Sequence, residues 1–453
     1  MQFQTLPGFR EFYPEACLLR NHLFSAWKRS ARAFAFSEYD APVLEPLSLY
    51  VEKSGEEIVG QLFHFTDKGE REVALRPEMT PSLARLVAAK ANALKRPIRW
   101  FNIGEQYRYE RPQKGRLRAF YQFNADILGI AEPTADAELI ALLVASLKAL
   151  GLGPDSVQVR LSDRLLWGII LRAANLSQEG TSAVLAVVDK LGRMPREKSL
   201  AALAPWIADA DGWLTAIESM MREVRDFSAL EAHFTQLAAA MGEDDRAFVE
   251  KRLAEWRVLL AELEGLGCSP YVQIDLGIVR GLAYYTGFVF EAFEATGEGR
   301  ALAGGGRYDD LVQKLGGPSV PAVGFAMGDV TVADLLQAKE LLPRYFEKAD
   351  VALAIDPGLD RADALLFAQT LRAAGYAVEV PLSGQSLNKQ IKAMRQKGCR
   401  LLAIFKVDPN AADSAVELLD PAGNQSRTFG ADISAVVPQT LAFLQEGVFA
   451  EAD

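Results

Sequence analysis

The sequence predicts an α+β protein with an antiparallel sheet flanked by helices, a helical insertion, and a smaller α/β domain at the end. Residues 104–129 alternate polar and apolar side chains in two arms around a basic loop, as a hairpin does. Residues from about 164 to 266 are rich in alanine, leucine and charges at helical spacing, and strand patterning resumes directly afterwards. Residues 349–453 alternate strand and helix patterns, so we expect a core domain at 1–337, containing the insertion, and a second domain at 349–453.

Composition limits the class of protein. The chain has 453 residues, of which 50% are hydrophobic and 24% charged, which is typical of a globular protein with two or three domains. A net charge of −10 excludes a globally basic nucleic-acid binder but leaves local basic patches open. We expect no secretory signal, because residues 1–15 contain acidic side chains and no apolar core of signal-peptide length. We expect no membrane span, because no uncharged apolar run reaches about 18 residues.

Cysteine and histidine are few and scattered. Cys17, Cys268 and Cys399 lack CxxC spacing, which predicts a reduced, cytoplasmic protein without a cysteine metal site. The three histidines show no HExxH pattern, and we interpret them as structural or surface residues. Chemistry that depends on histidine as a general acid or base is therefore not expected.

The first predicted elements are a helix and an extended segment. Residues 15–36 have apolar side chains at helical spacing, and Pro42 and Pro46 bracket the segment that follows. A hairpin pattern with its turn at Asp67–Gly69 comes next. Its second strand is predicted to end at Leu75 and to lead into a helix.

The junction between that strand and that helix is the first candidate site. Thr80 and Pro81 suit the N-cap and N1 positions of the helix. Arg76, Glu78 and Thr80 would then lie together at the mouth of the junction. A capped helix with a surface ion pair explains the same residues, so the pattern alone leaves both interpretations open.

Residues 104–129 form the second and more informative candidate site. In a hairpin, alternation gives each arm a polar face and an apolar back, and the polar face is about 13 Å long at ~3.3 Å per residue. That face would carry Gln106, Arg108, Glu110, Phe120, Gln122, Asn124 and Asp126. The loop between the arms adds the cations Arg111, Lys114, Arg116 and Arg118. A solvated face is the alternative, but two such arms together favour a surface that binds phosphates and a ring.

The strand patterning after the insertion contains the third candidate site. Arg280 has the aromatic neighbours Tyr284 and Tyr285, between two apolar runs, and a surface loop with a stray arginine is the alternative. The glycines of Gly304–Gly306 then precede Arg307. This run matches neither a P-loop nor GxGxxG, and it indicates a backbone that something approaches closely.

The second domain has a pattern of strand, helix, strand, helix and strand, with mostly parallel pairing expected. Lys389, Lys392 and Arg395 would share one face of its second helix. This basic stripe stands out in an acidic protein, although a solvated helix face explains it as well.

The order of these stretches resembles the histidyl-tRNA synthetases, a family of class II aminoacyl-tRNA synthetases, over essentially the whole chain. The segment SEYDAPVLEPLSLY, which contains Pro42, resembles motif 1, and residues 104–129 resemble motif 2. RPEMT and RGLAYYTG resemble the two histidine-site signatures. The resemblance implies a class II synthetase-type antiparallel sheet with a helical insertion, and a C-terminal α/β domain of the anticodon-binding type. Motif 1 implies a homodimer.

The resemblance also implies an activity, histidine–tRNA ligase. Such an enzyme activates L-histidine with ATP to histidyl-adenylate and transfers the histidyl group to the 3′ end of tRNA(His), with Mg²⁺ expected beside ATP. One alternative is a non-catalytic, histidine-binding regulatory paralogue of ATP phosphoribosyltransferase, which generally lacks the C-terminal domain. Another is a tRNA-binding module without activation chemistry.

Residue roles follow from the same resemblance. The catalytic residues at the α-phosphate are Arg108 and Arg280. The residues expected to bind histidine are Glu78, Thr80, Arg108, Gln122, Asp126, Arg280, Tyr284 and Tyr285. Those expected at ATP are Arg108, Glu110, Arg116, Phe120 and Arg307. Those expected at the tRNA acceptor end are Arg111, Gln113 and Arg116. The resemblance does not assign ligands for a metal.

The chain departs from the family pattern at two places. Ala283 stands where the second histidine signature usually has aspartate. Val330 and Thr331 stand where motif 3 usually has glutamate and arginine, and that arginine normally contacts the distal phosphates of ATP. We expect Arg307 or Arg116 to compensate for it.

Overall fold

The structure is a computed structural model and describes residues 3–54, 56–191, 194–279, 285–296, 299–342, 349–407, 414–421, 425–430 and 432–446. The chain divides into two units, Met1–Pro343 and Arg344–Asp453. Each unit contains its own hydrophobic core. Within the described residues, none of the helices has the length and apolar character needed to cross a bilayer.

The strands of the first unit form one large and one small sheet. They are β1 (Ser37–Glu38), β2 (Leu44–Pro46), β3 (His64–Thr66), β4 (Glu72–Leu75), β5 (Ile98–Tyr107), β6 (Ala119–Leu128), β7 (Val157–Asp163), β8 (Val272–Ile274), β9 (Phe288–Glu294), β10 (Ala303–Arg307) and β11 (Ala322–Gly328). The large sheet has the order β1-β5-β6-β11-β10-β9-β7-β8, and the small sheet has the order β2-β4-β3. The predicted hairpin is confirmed as the antiparallel pair of β5 and β6.

The predicted antiparallel sheet is confirmed from β5 to β7, whereas both edges of the large sheet are parallel pairs. β1 pairs in parallel with β5, and β8 pairs in parallel with β7. Parallel neighbours need a crossover connection, and the helices between β7 and β8 provide it. The insertion is therefore the connection between the last two strands at this edge of the sheet.

The helices of the first unit cover the sheet and build the insertion. They are α1 (Pro14–Ala33), α2 (Leu47–Ser54), α3 (Thr80–Lys90), α4 (Pro133–Lys148), α5 (Arg164–Ala173), α6 (Gln178–Val188), α7 (Arg196–Leu203), α8 (Ala210–Glu223), α9 (Phe227–Ala239), α10 (Glu243–Gly265), α11 (Leu311–Lys314) and α12 (Asp329–Ala338). Short 3₁₀ helices occupy Glu56–Gln61 and Ser269–Tyr271. The insertion comprises α5 to α10, as the helical spacing predicts.

The insertion shares one continuous core with the large sheet. Its residues Trp167 and Trp256 are fully buried in the same cluster as Phe123 of β6. At the end of β7, Oδ2 of the buried Asp163 accepts hydrogen bonds from Nε of Arg252 (2.6 Å) and Nε1 of Trp256 (2.8 Å). Because a buried carboxylate without partners is costly, these bonds favour one position of α10 against the sheet.

The second unit is an α/β domain. Its strands are β12 (Ala349–Ile355), β13 (Val378–Glu379), β14 (Cys399–Val407), β15 (Ser414–Leu419) and β16 (Ser426–Gly430), and its helices are α13 (Ala362–Ala373), α14 (Leu387–Lys397) and α15 (Ile433–Glu446). The sheet order is β13-β12-β14-β15-β16. The strands β12, β13 and β14 pair in parallel, as predicted, whereas β15 and β16 add an antiparallel extension.

Candidate active site

A cavity of about 850 Å³ lies over the polar face of the large sheet. Its floor is formed by β6, β11, β10 and β9, and the loop between β5 and β6 contributes to its wall. The structure brings together many residues that the sequence singles out, namely Glu78, Thr80, Arg108, Glu110, Arg116, Phe120, Gln122 and Tyr285. Residues from three separated stretches of the sequence therefore line one cavity.

Alternation along β6 separates the cavity from the core. Phe120, Gln122 and Asn124 line the cavity, whereas Phe123 and Ala125 are fully buried on the opposite face. The helices α1 and α4 cover that opposite face, because it is apolar at every second residue. The two faces of this strand therefore separate binding from packing, as the sequence predicts.

Arg76, at the end of β4, is a structural residue. Its guanidinium is buried and donates to Oδ1 of Asp40 (2.9 Å), to the carbonyl of Ala41 (2.8 Å) and to the carbonyl of Glu105 (3.0 Å). These bonds connect the end of β4 to the neighbouring strand β5. The arginine therefore holds the junction beside the sheet and does not line the cavity among the described residues.

The helix after this junction begins one residue earlier than the sequence pattern suggests. Met79 is the N-cap residue of α3, Thr80 and Pro81 occupy the first two helical positions, and no side chain caps the helix. Thr80 and Glu78 are half-buried and line the cavity. Their polar groups are thus placed beside the cavity, and Thr80 does not cap the helix.

Arg108 and Phe120 lie side by side where the two arms of the hairpin leave the sheet. Nε of Arg108 donates to the carbonyl of Pro77 (3.1 Å), and its guanidinium carbon lies 5.2 Å from the centroid of the Phe120 ring. Farther along the loop, Arg116 Nη1 and Glu110 Oε2 form an ion pair of 2.5 Å. This end of the cavity thus presents a guanidinium, an aromatic ring and a carboxylate together.

Asp126 and Tyr308 meet next to the cavity. Asp126 is buried, and the hydroxyl of Tyr308, which lines the cavity, donates to its Oδ1 at 2.6 Å. Burial raises the pKa of Asp126 to about 7, although the hydrogen bond from Tyr308 acts in the opposite direction. Burial, and then the charge of Asp126, raise the pKa of Tyr39 well above its usual range. Asp126 therefore titrates near neutral pH.

Arg307 was expected at ATP, but it is not among the residues that line the cavity. It is buried in an ion pair with Asp136 of α4, whose Oδ2 accepts from Arg307 Nε at 3.0 Å and Nη2 at 2.5 Å. The carbonyls of Ile130 and Glu132 accept its remaining bonds. The structure therefore does not support the expected contact of Arg307 with ATP, because its donors are engaged on the helix-covered side of the sheet.

The remaining residues that the sequence singles out either lie outside the described residues or lie on the exposed loop. Arg280, Ala283 and Tyr284 lie outside the described residues. Arg111 and Gln113 are exposed on the loop, where Gln113 forms a β-bridge with Arg116. Their exposure is what the expected contact with a macromolecule requires.

Two further cavity residues, Tyr308 and Arg300, were not assigned a role from the sequence. Alternation along β10 is the signal that could have found Tyr308, because it shares a face with Gly304, which also lines the cavity. The same alternation directs Arg307 to the opposite face. Arg300 lies in the connection before β10, where no periodic pattern identifies it.

The structure gives no indication of a preformed metal site in the part of the chain that it describes. Within those residues, no group of three or more histidine, cysteine, aspartate or glutamate side chains could hold a metal ion. Carboxylates do line the cavity, among them Glu78, Glu110 and Glu291.

Comparisons with known proteins agree with this site. The family model for histidyl-tRNA synthetase matches residues 8–331. A histidine–tRNA ligase of Opitutus terrae is 51% identical over 418 residues, which cover 92% of this chain and 94% of the relative. A chloroplastic/mitochondrial histidine–tRNA ligase of Arabidopsis thaliana is 37% identical over 416 residues, covering 91% of this chain and 82% of the relative.

A solved structure has the same fold. Histidyl-tRNA synthetase from Nostoc sp. PCC 7120 superposes with a TM-score of 0.79 at 22% identity, covering 97% of this chain and 99% of the other. The matched residues of the family model include both arms of the hairpin and the strands that form the floor of the cavity. The chain therefore belongs to the histidyl-tRNA synthetase family.

Proposed function

We propose that the protein is a histidine–tRNA ligase, which uses ATP to activate L-histidine and then esterifies it to the 3′ end of tRNA(His). The observation that carries this proposal is the cavity in which Arg108, Glu110 and Phe120 lie beside Glu78 and Gln122. A chain 51% identical to a histidine–tRNA ligase over 92% of its length supports the same conclusion.

In the first step, a carboxylate oxygen of histidine attacks the α-phosphorus of ATP. A new phosphorus–oxygen bond forms, the bond to the bridging oxygen breaks, and pyrophosphate leaves. Negative charge grows on the α-phosphoryl oxygens, so fixed cations stabilise the transition state and no general base is needed. Arg108 supplies one cation in this proposal. The hydrogen bond from its Nε to the carbonyl of Pro77 fixes the orientation of the guanidinium, and its two terminal nitrogens then bind the phosphoryl oxygens. Arg280 supplies a second in this proposal.

The adenine ring is bound at the loop end of the hairpin. Phe120 stacks on the ring, and Glu110 accepts a hydrogen bond from the exocyclic amino group. Arg116 supports this role because its ion pair orients the Glu110 carboxylate. Because the guanidinium of Arg108 lies near the Phe120 ring, the cation that binds the phosphate is next to the ring that stacks on adenine.

The amino acid is bound at the other end of the floor. Glu78, Thr80 and Gln122 hold its ammonium and carboxylate groups. Asp126, Tyr284 and Tyr285 face the imidazole in this proposal, and a carboxylate that titrates near neutral pH suits an imidazole partner because both groups exchange protons in that range. Tyr308 holds Asp126 in place through its hydroxyl.

In the second step, a terminal ribose hydroxyl of tRNA attacks the carbonyl carbon of the adenylate, and AMP leaves. This step depends mainly on orientation. The exposed loop residues Arg111 and Gln113, with Arg116, contact the acceptor end in our proposal. The basic stripe of α14, with Lys389, Lys392 and Arg395 exposed, contacts another part of the tRNA.

Three further properties belong to the proposal. Mg²⁺ enters with ATP, since this ion is commonly held by phosphates and one or two carboxylates. The protein acts in the cytoplasm. It forms a homodimer, which the exposed apolar side chains of Val43, Leu44 and Phe65 around the small sheet support.

A histidine-dependent exchange of label between pyrophosphate and ATP tests the first step. We expect exchange with L-histidine and none with the other standard amino acids. A folded protein that binds histidine without exchange would refute the ligase proposal and favour the regulatory paralogue. That alternative has less support, because the chain carries the second unit and its similar relatives are described as ligases.

A further inference from the structure

One end of the cavity is cationic, and we call it the Arg300 end. It is formed by Gly115 and Arg116 of the loop, Arg300 before β10, and Thr331 of α12. A Cβ atom on Gly115 would lie 3.2 Å from Cδ of Arg300 and 3.6 Å from Cγ2 of Thr331. Gly115 also has a φ of +70°, so glycine is favoured there both by conformation and by the close approach of Arg300.

Two arginines, Arg116 and Arg300, lie at this end of the cavity. Arg116 is paired with Glu110. Arg300 forms neither an ion pair nor a hydrogen bond with the residues that the structure describes. Desolvation, followed by the charge of Arg116, lowers the pKa of Arg300, and Glu110 only opposes this shift. Arg300 and Arg116 are both exposed, and a bound polyanion would interact favourably with two guanidinium groups at one end of the cavity.

The first turn of the adjoining helix α12 also lies at this end of the cavity. The helix α12 begins after its N-cap residue Gly328, which has no side chain that could cap it, and its residues Val330 and Thr331 line the cavity. The carboxylate of Asp329 is engaged by Arg10 at 2.7 Å and by the backbone amide of Tyr121 at 2.9 Å. Oγ1 of Thr331 is buried and has no hydrogen-bond partner in the part of the chain that the structure describes. A hydroxyl donor and the first turn of the helix thus lie at the same end of the cavity as Arg300.

We propose that Arg300 binds the β- and γ-phosphates of ATP and supplies the cation that motif 3 of this chain lacks at Thr331. This inference rests on the proposed function, because it assigns the distal phosphates of the same nucleotide. The two positions are close in space, since Cδ of Arg300 and Cγ2 of Thr331 both lie near the position of a Cβ atom on Gly115. Arg307 does not fill this role, because its donors are bound to Asp136 and to backbone carbonyls.

The test compares ligands that have and lack the distal phosphates. In Arg300→Ala, equilibrium binding of ATP should weaken at least about tenfold, the size of effect typical of a lost charge-assisted contact. Binding of AMP and of a sulfamoyl analogue of histidyl-adenylate should stay within about twofold, because neither has β- or γ-phosphates. Retained affinity for the analogue also shows that the site is folded. Arg32→Ala, at an exposed arginine of α1, is the matched control and should change none of these constants.

The contradicting outcomes are distinct. ATP binding within about twofold of the unsubstituted protein would refute the role of Arg300, as would equal weakening of ATP, AMP and the analogue. Adding Thr331→Arg to Arg300→Ala should recover part of the lost ATP affinity, and an absence of recovery would refute the equivalence of the two positions. Because these are binding measurements, failure of the protein to catalyse exchange would refute the proposed function separately.

Discussion

Arg108 is held in position by its neighbours without a carboxylate partner among the described residues. A backbone carbonyl accepts from its Nε, and its guanidinium lies beside the Phe120 ring. Its other donors are therefore left for an anionic ligand. Asp126 is held differently, because it is buried against Tyr308 and its ionised form is disfavoured. These two side chains lead to predictions of different kinds.

Replacing Arg108 should affect catalysis more than folding. We predict that Arg108→Ala lowers the rate of histidine-dependent exchange by about 100-fold or more, because a fixed cation at the α-phosphoryl group is lost. The melting temperature should change little, since the substitution removes only one side-chain hydrogen bond, the one to the carbonyl of Pro77, from the folded state. Arg108→Lys retains the positive charge but not the planar guanidinium, so its exchange rate should lie between the rates of the unsubstituted protein and of Arg108→Ala. An alanine variant with a rate within about threefold of the unsubstituted protein would contradict the assignment.

The titration of Asp126 should appear in the pH dependence of stability. Its pKa is about 7 in the folded protein and about 3.9 when unfolded, so the folded state holds the proton more tightly. Its favourable contribution is fully present below about pH 4 and is lost as pH rises through about 7. Asp126→Asn keeps an acceptor for Tyr308 but does not titrate. The melting temperature of the unliganded protein, relative to this variant, should fall between about pH 4 and about pH 7 and level off above that. A difference independent of pH would contradict the prediction.

At the scale of elements, the site depends on strands that approach each other closely. On β10, a Cβ atom at Gly305 would lie 2.2 Å from the backbone oxygen of Gly324 and 2.7 Å from Cβ of Phe325. The run of glycines therefore serves packing between β10 and β11, and on its other face it leaves room for the cavity. The sequence predicted that something approaches the backbone of this glycine run closely, and in the structure the neighbouring strand β11 does so.

Gly305→Ala should therefore destabilise the first unit. Overpacking against backbone costs about 1–3 kcal/mol, so we predict a melting temperature lower by several degrees. Gly265→Ala is the control, because it lies at the end of α10 with no atom within 4 Å of the added Cβ. Equal melting temperatures for the two variants would contradict this prediction, because β10 and β11 would then accommodate the added methyl group without loss of stability.

Elements with a strong period were predictable, and those that depend on distant partners were not. The strand β6 and the helix α14 follow directly from alternation and helical spacing. The edge strands β1 and β8 have only two and three residues, and their pairing depends on strands far along the chain. Arg307 was assigned to the wrong face because the alternation of β10 was not applied to it. Arg300 has no local pattern at all.

At the scale of the whole molecule, the two units have separate hydrophobic cores. The cavity and all of its lining residues belong to the first unit. In the second unit, Lys389, Lys392 and Arg395 are exposed on α14. The predicted division of labour is that the first unit activates histidine and the basic stripe of the second unit helps to bind tRNA.

Removing the stripe should therefore affect charging of tRNA but not activation. In the full chain, the triple substitution of these three residues by alanine should raise the KM for tRNA about tenfold or more and reduce its salt dependence, because phosphate contacts are lost. Histidine-dependent exchange in the same variant serves as the internal control and should be unchanged. If tRNA binds equally well, α14 is an ordinary solvated helix.

The central claim is that this protein attaches histidine to tRNA, and the direct test is the transfer of labelled histidine to purified tRNA(His) by the full-length protein. We predict charging that requires ATP and Mg²⁺ and that is lost with Arg108→Ala. The formation of adenylate without charged tRNA, or binding of tRNA without adenylate, would contradict the claim.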